Sequence, residues 1–198
     1  MEDSTRPLNL EADLLVIGWG KAGKTLARDL ASHGRRVVLV ERDDAMIGGT
    51  CINVACVPTK TLVNLAERRG DRNPDEYLKQ AIASRDALID KLRAANKAML
   101  SGLETVTLVR GEARFAGPRR IRVRSGEETL DITAGAVVVN TGTSPLMPDI
   151  PGIQGRFVYD STTIQHIADG RVPHTLTIVG GGFIGLEFAS MFAAFGSA

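Results

Sequence analysis

Cysteine is scarce in this 198-residue sequence: Cys51 and Cys56 are the only two, with four residues between them. A multi-bridge disulfide framework of the kind that staples small secreted domains is therefore excluded. A surplus of one charge is also missing, since 24 Lys and Arg stand against 23 Asp and Glu, a formal net charge of +1. No global field draws such a chain onto nucleic acid or a membrane surface. Long apolar runs are absent too. The segment from Gly180 onward, the most apolar, is interrupted by Gly185 and Glu187, and nothing approaches the roughly 20 apolar residues of a membrane-spanning helix. The first ten residues carry Glu2, Asp3 and Asn9 without an apolar run behind a basic start, unlike a secretory signal. The expectation is a soluble, cytoplasmic protein without nucleic-acid or membrane partners. At this length and with 43% hydrophobic residues, a proper core without staples and between one and two domains are expected.

Apolar runs at residues 14–17, 37–40 and 136–139, and Leu176-Thr177-Ile178-Val179 beside them, read as strands buried on both faces, as in a parallel sheet covered by helices. Between the first two, Ala22, Leu26, Ala27, Leu30 and Ala31 keep helical spacing and Gly34 follows as a stop, completing a βαβ unit. Residues 74–103 repeat Leu78, Ile82, Leu88, Ile89, Leu92, Met99 and Leu103 among charges behind Pro74, which predicts one long amphipathic helix. Residues 112–133 change period: Ile121 and Val123 alternate with Arg120, Arg122 and Arg124, and Ser125-Gly126 marks a turn. Short antiparallel strands with one wet face follow. Their arginines could form a phosphate-binding stripe, but Glu127, Glu128 and Asp131 nearby favour a solvated edge. Pro145, Pro148, Pro151 and Gly152 make a stiff connector and a domain boundary. The fold class is thus α/β, a Rossmann-like parallel sheet with a small antiparallel meander, divided into residues 1–150 and 151–198.

Three constellations carry chemistry. Gly18-Trp19-Gly20-Lys21-Ala22-Gly23 follows a buried strand and opens a helix. Glycine there permits a tight turn, lets a pyrophosphate approach the backbone and lets helix and strand pack closely. The helix N-terminus at Lys21 and Ala22 offers N–H groups and partial positive charge to that pyrophosphate. Glu41 closes the next strand, where a carboxylate can accept hydrogen bonds from an adenosine ribose, and Arg42 beside it is a further cofactor-contact candidate. The second constellation runs Gly48-Gly49-Thr50-Cys51-Ile52-Asn53-Val54-Ala55-Cys56-Val57-Pro58-Thr59-Lys60. Its cysteines could merely pack as small apolar side chains. Zinc is a poor fit, because only two thiols and no nearby histidine are present. A redox pair explains more: the spacing lets the Cα atoms come within the ~4.4–6.8 Å of a disulfide, and a helix start with Lys60 nearby favours a thiolate. The third, Gly180-Gly181-Gly182-Phe183-Ile184-Gly185-Leu186-Glu187, repeats the strand–turn–helix logic, with Glu187 read as an acid in the first helical turn.

These residues resemble the class I pyridine nucleotide-disulfide oxidoreductases, whose redox motif the run 48–60 matches nearly position by position. Ala55 and Thr59 depart from the family's usual Gly and Ser. A finer likeness is to the mercuric-reductase-like branch and its reactive-chlorine-resistance flavoprotein reductases. The resemblance implies an FAD-dependent enzyme in which NAD(P)H reduces FAD, the flavin reduces a Cys51–Cys56 disulfide, and Cys51 delivers electrons to an acceptor. It makes Cys51 the interchange thiol, Cys56 the flavin-facing thiol, Lys60 a cation at the flavin and Glu187 its partner. Gly18, Gly20, Gly23, Lys21, Ala22, Glu41 and Arg42 would hold the ADP half of FAD, and Gly49, Thr50 and Cys51 would line its pyrophosphate and ring. Thr141 and Gly142 resemble the family's strand end that returns to FAD, where a plain strand-terminating turn is the other reading. Gly180, Gly182 and Gly185 would receive NAD(P)H.

The same resemblance identifies what is not seen. The rest of the NAD(P)-binding domain, a second FAD-contacting segment and a dimerisation domain with a His–Glu pair do not occur, and His33, His166 and His174 read as structural or exposed. The chain is therefore expected to be the amino-terminal part of a longer homodimeric enzyme of cell redox homeostasis, residues 1–150 binding FAD and 151–198 beginning an NAD(P)-binding domain. Its acceptor would be a small-molecule disulfide, a metal ion or a similar species, with no metal bound as cofactor and NADH or NADPH undecided. A different class of reading is an FAD-binding fragment or redox sensor without turnover. An FAD monooxygenase or a dehydrogenase without a dithiol is disfavoured by the cysteine motif. Phe183, Phe188, Met191, Phe192 and Phe195 form an apolar helix face whose partner the sequence does not identify.

Overall fold

The apolar runs become the centre of one sheet. In the computed structural model, which describes residues 8–167 and 170–198, β1 (Leu8–Ile17) lies between β2 (Val37–Glu41) and β6 (Glu128–Val139), parallel to both. β3 (Val106–Arg110) extends the parallel part beyond β2. On the other side β5 (Arg120–Ser125) runs antiparallel to β6 and β4 (Glu112–Gly117) antiparallel to β5, giving the order β3-β2-β1-β6-β5-β4. The expected meander is thus the flank of the same sheet, and its last strand continues into the run at 136–139.

The strand run 14–17 grows at its front, where Leu10 and Ala12 alternate with exposed Asn9 and Glu11. β3 was not anticipated. Its Val106-Thr107-Leu108-Val109 run is a strand signal that the long helical pattern ending at residue 103 overshadows. The expected strand at 176–179 does not form: those residues have no regular structure, Val179 is 84% exposed, and the backbone bonds of this stretch run from Leu176 N to Ala198 O and from Ala198 N to His174 O. A strand exists only through a neighbour's ladder, and none among the described residues pairs with it.

Helix α1 (Lys21–Ser32) packs on one face of the sheet with Gly23, Ala27 and Ala31 buried. Leu26, expected inside, is 39% exposed. Small residues on that stripe bring helix and sheet close: a Cβ at Gly23 would stand 2.5 Å from Val16 Cγ1. Leu100, near the end of α4 (Pro74–Ser101), joins the same cluster as Leu14, Val16, Trp19, Val37, Leu39 and Ile47. On the opposite face Ile121, Val123 and Ile132 share a cluster with Leu15, Val38 and Val40. The predicted arginine edge is wet, but Asp131 is buried in it and receives Arg122 Nε at 2.7 Å and Arg120 Nη2 at 3.0 Å.

Contacts divide the chain into two compact units that interleave in sequence. One holds the residues up to Asn53 with Leu92–Thr143, the other Val54–Lys91 with Ser144–Ala198. The second is helical, built from α3 (Cys56–Glu67), the first part of α4 and α5 (Phe183–Phe195). Here the apolar face of α5 finds its partner: Phe188, Met191, Phe192 and Phe195 pack with Leu62, Ala66, Tyr77, Leu78 and Ala81. Phe183 stays 94% exposed, outside that core. Arg85 is fully buried in this unit and donates to Gln165 O, Asp86 Oδ1 and His166 Nδ1. His166 is therefore a contact of a buried arginine.

Candidate functional site

In the first unit three turns converge. Gly18 leaves β1 with φ +99°, and its N–H donates to Val40 O at 2.8 Å. A Cβ there would lie 2.4 Å from Asn140 O, so no other residue fits. Asn140, directly after β6, donates through Nδ2 to Gly18 O (3.0 Å) and Gly20 O (2.9 Å) and clamps the glycine turn. Glu41 lies at the end of β2 and accepts from the backbone N–H groups of Trp19 (3.0 Å), Arg42 (2.8 Å) and Asp43 (3.2 Å). The turn carrying the first cysteine packs on this loop: a Cβ at Gly49, with φ +83°, would stand 2.5 Å from Gly20 Cα. Gly142 follows, where a Cβ would meet Thr50 Oγ1 at 2.8 Å. Gly18, Gly20, Gly49, Thr50 and Gly142 are thus brought together, Cys51 follows half-buried on the one-turn helix α2 (Thr50–Asn53), and Thr141 and Arg42 are exposed.

This arrangement fits an adenine dinucleotide. α1 begins at Gly20 without a side-chain cap and without an acid in its first turn, leaving N–H groups at Lys21 and Ala22 for an anion. Glu41's oxygens retain lone pairs beyond their three backbone donors. A surface depression beside β2 contains Arg42, Asp43, Arg110, Glu112 and Arg124 but no glycine of the turn and no cysteine. Its Arg110 and Arg124 are paired with Asp44 (3.4 Å) and Glu112 (3.5 Å). Among the described residues no three His, Cys, Asp or Glu side chains gather as a metal site.

Two polar residues of this unit escaped sequence reasoning. Asn53, buried, donates to Ile47 O and Gly49 O at 2.9 Å each and accepts from Arg93 Nε at 2.7 Å, fixing the cysteine turn. Lys24 is buried on α1 and its Nζ reaches Asn96 Oδ1 and, at 3.4 Å, Gly48 O. Burial pushes its ammonium below the usual lysine range; the nearby Cys51 opposes this and Lys21 adds to it.

In the second unit Cys56 is the first residue of α3, exposed and not disulfide-bonded. One turn along α3, Lys60 forms an ion pair with Glu187 of α5. Glu187 is the fifth residue of α5, past the first turn where it was expected, so the lysine contact rather than the helix dipole is its partner. The pair is held by the Phe188–Phe192–Phe195 face packed on Leu62 and Ala66. Gly180 and Gly182 are exposed and open on the side where a Cβ would stand, whereas a Cβ at Gly185 would lie 2.4 Å from Gly180 O. α5 starts at Gly182 without a side-chain cap.

Known proteins match this chain along most of its length. Residues 12–198 match the family model described as pyridine nucleotide-disulphide oxidoreductase. A probable pyridine nucleotide-disulfide oxidoreductase, RclA, of Escherichia coli is 43% identical over 92% of this chain and 40% of its own length. A mercuric reductase of Lysinibacillus sphaericus is 31% identical over 93% of this chain and 34% of its own. The solved structure of a Cu(II) complex of the HOCl-induced flavoprotein disulfide reductase RclA from Escherichia coli superposes with a TM-score of 0.86 at 42% identity, over 94% of this chain and 41% of that one. The chain therefore spans only 34–41% of the length of these relatives. The match of residues 12–198 to its model places the chain, with its glycine turn and the cysteine turn seated on it, in the pyridine nucleotide-disulphide oxidoreductase family.

Proposed function

We propose that this chain is the FAD-binding and dithiol part of an NAD(P)H-dependent oxidoreductase. One observation carries the assignment: the turn that leads to Cys51 rests on the dinucleotide-type glycine loop, with Gly49 against Gly20. Gly18, Gly20, Gly23, Lys21, Ala22, Glu41 and Arg42 hold the ADP half of FAD, and Gly49, Thr50, Cys51, Thr141 and Gly142 line the remainder. Bound FAD supplies hydride acceptance from NAD(P)H and two-electron delivery, chemistry that no side chain offers. Cys51 and Cys56 form the reversible disulfide, Cys51 being the thiol that meets the acceptor. Lys60 provides positive charge beside the cofactor and Glu187 holds it in place. Residues 1–150 serve FAD and 151–198 begin the NAD(P)-binding part, with Gly180, Gly182 and Gly185 at the nicotinamide nucleotide.

The acceptor is a small disulfide or a metal ion. The names of the mercuric reductase and of the Cu(II) complex among the relatives support including metal ions as substrates. The complete protein acts as a cytoplasmic homodimer; among the described residues no helix is long and apolar enough to cross a membrane. Cys51→Ser or Cys56→Ser abolishes acceptor reduction in an NAD(P)H oxidation assay while FAD absorbance is retained. Full turnover by either variant overturns the assignment. A second reading, FAD binding without turnover, is favoured by the exposed Gly180 and Gly182 and the missing strand at 176–179. Bound flavin without steady NAD(P)H oxidation selects it.

A further inference from the structure

Gln165 has no part in the chemistry proposed so far, yet it is only 3% exposed. It sits in the short helical turn Thr163–His166. Its side-chain Nε2 donates to Ser161 O at 2.8 Å and, across 111 residues of sequence, to Val54 O at 3.1 Å. Both neighbours are carbonyl acceptors, so the amide cannot be turned round and the nitrogen must face them. Its Oε1 is left buried without a hydrogen-bond donor among the described residues. An orphaned buried acceptor costs stability, and an apolar side chain of similar size would carry none. The main chain of Gln165 is held as well, its carbonyl accepting from the fully buried Arg85.

The acceptor at the far end gives this amide a role. Val54 is one of the four residues, 52–55, that separate Cys51 from Cys56. Asn53 beside it is tied by its own buried amide to Ile47 O and Gly49 O. The two middle residues between the cysteines are thus each fastened by a buried side-chain amide. We propose that Gln165 is a positioning residue for the dithiol, its Nε2 bond to the Val54 carbonyl holding the intercysteine segment in the shape from which the disulfide closes. The inference rests on the dithiol reading and adds to it a determinant of the disulfide's stability. The bond is made with Cys51 and Cys56 not disulfide-bonded, so it already restricts the open pair. A pair whose linking segment is ordered beforehand loses less conformational freedom on closure. Without the brace that segment loosens in the dithiol, and the disulfide becomes easier to reduce.

The test is the thiol–disulfide equilibrium of the full chain with glutathione. In that exchange the Cys51–Cys56 bond forms and the bond of glutathione disulfide breaks, two electrons and two protons passing to give two glutathione thiols. Gln165→Met keeps nearly the same volume and carries neither the donor nor the orphaned acceptor. Its constant for disulfide formation is expected to fall about three- to tenfold, the net worth of one hydrogen bond, which is about 15–30 mV for this two-electron couple. A residue that only packs would instead lower the urea midpoint of the reduced chain and leave the constant alone. An unchanged constant in folded Gln165→Met overturns the proposal. Should Gln165→Met not fold, Gln165→Asn, one methylene too short to span both carbonyls, must lower the constant in the same sense, and no change there is equally fatal. A chain with Gln165 intact that forms no Cys51–Cys56 disulfide at any glutathione ratio sinks the dithiol reading itself. A normal disulfide there with the same constant in the variant sinks only the role of Gln165.

Discussion

At the scale of the residue, the glycines of the cradle are constrained by neighbouring backbone. Gly49 has φ +83° and would put a Cβ 2.5 Å from Gly20 Cα, with no flexible side chain able to move aside. Gly49→Ala is therefore expected to displace the cysteine turn from the glycine loop, destabilising the fold by about 1–3 kcal/mol and weakening FAD binding in a fluorescence titration. Native affinity and native urea midpoint would contradict this packing. Gly49 could be singled out in the sequence because it stands in a recognisable run. Asn140 could not: the carbonyls it clamps are 122 and 120 residues away, and a polar residue after a strand carries no sign of its partner. Lys24 and Asn96, 72 residues apart, were hidden for the same reason.

Among the elements, α5 shows how much a helix depends on what it packs against. Its composition announces a helix without a polar face, and only the second unit's core explains it. Phe192 is 2% exposed, stacks near Phe188 (centroids 6.5 Å apart) and meets Phe195 edge-on at 6.4 Å. Phe192→Ala is expected to cost about 3–5 kcal/mol, read as a lower urea midpoint. The Lys60–Glu187 pair should be lost with it, because those two side chains meet only while α5 lies on α3. The long helix α4 was legible from its periodicity, Pro74 and charge pattern. The strand expected at 176–179 does not form, since a helix closes its hydrogen bonds within itself and a strand cannot.

On the scale of the whole molecule, the sheet is mixed, and Asp131 stands where its antiparallel flank joins the parallel part: β6 pairs there with Asn9 of β1 and Arg122 of β5. Hydrogen bonds from Arg122 and then Arg120 hold its carboxyl well below the usual carboxylate range. A carboxylate depressed in the folded state adds stability above its unfolded pKa of about 3.9 and loses it as pH falls toward the folded value. Stability from urea unfolding is thus expected to drop below about pH 4, with a shallower acid decline and lower neutral stability in Asp131→Asn. Identical pH profiles for the two proteins would show that the arginine bracket contributes nothing.

Sequence by itself determined the local matters: which runs are apolar enough for a buried strand, where glycine opens a helix, and that two cysteines share a redox-type motif. Those follow from neighbours along the chain and from period. Tertiary structure decided what depends on distant partners. It extended the parallel sheet with β3, withheld a strand from 176–179, gave the α5 face its core, set Gly49 on Gly20 and buried Lys24 at the cysteine turn. The physical reason is common to all of these. Ladder hydrogen bonds, close-packed side chains and buried charges take their energy from contacts with groups far along the chain, which only the folded protein brings within reach.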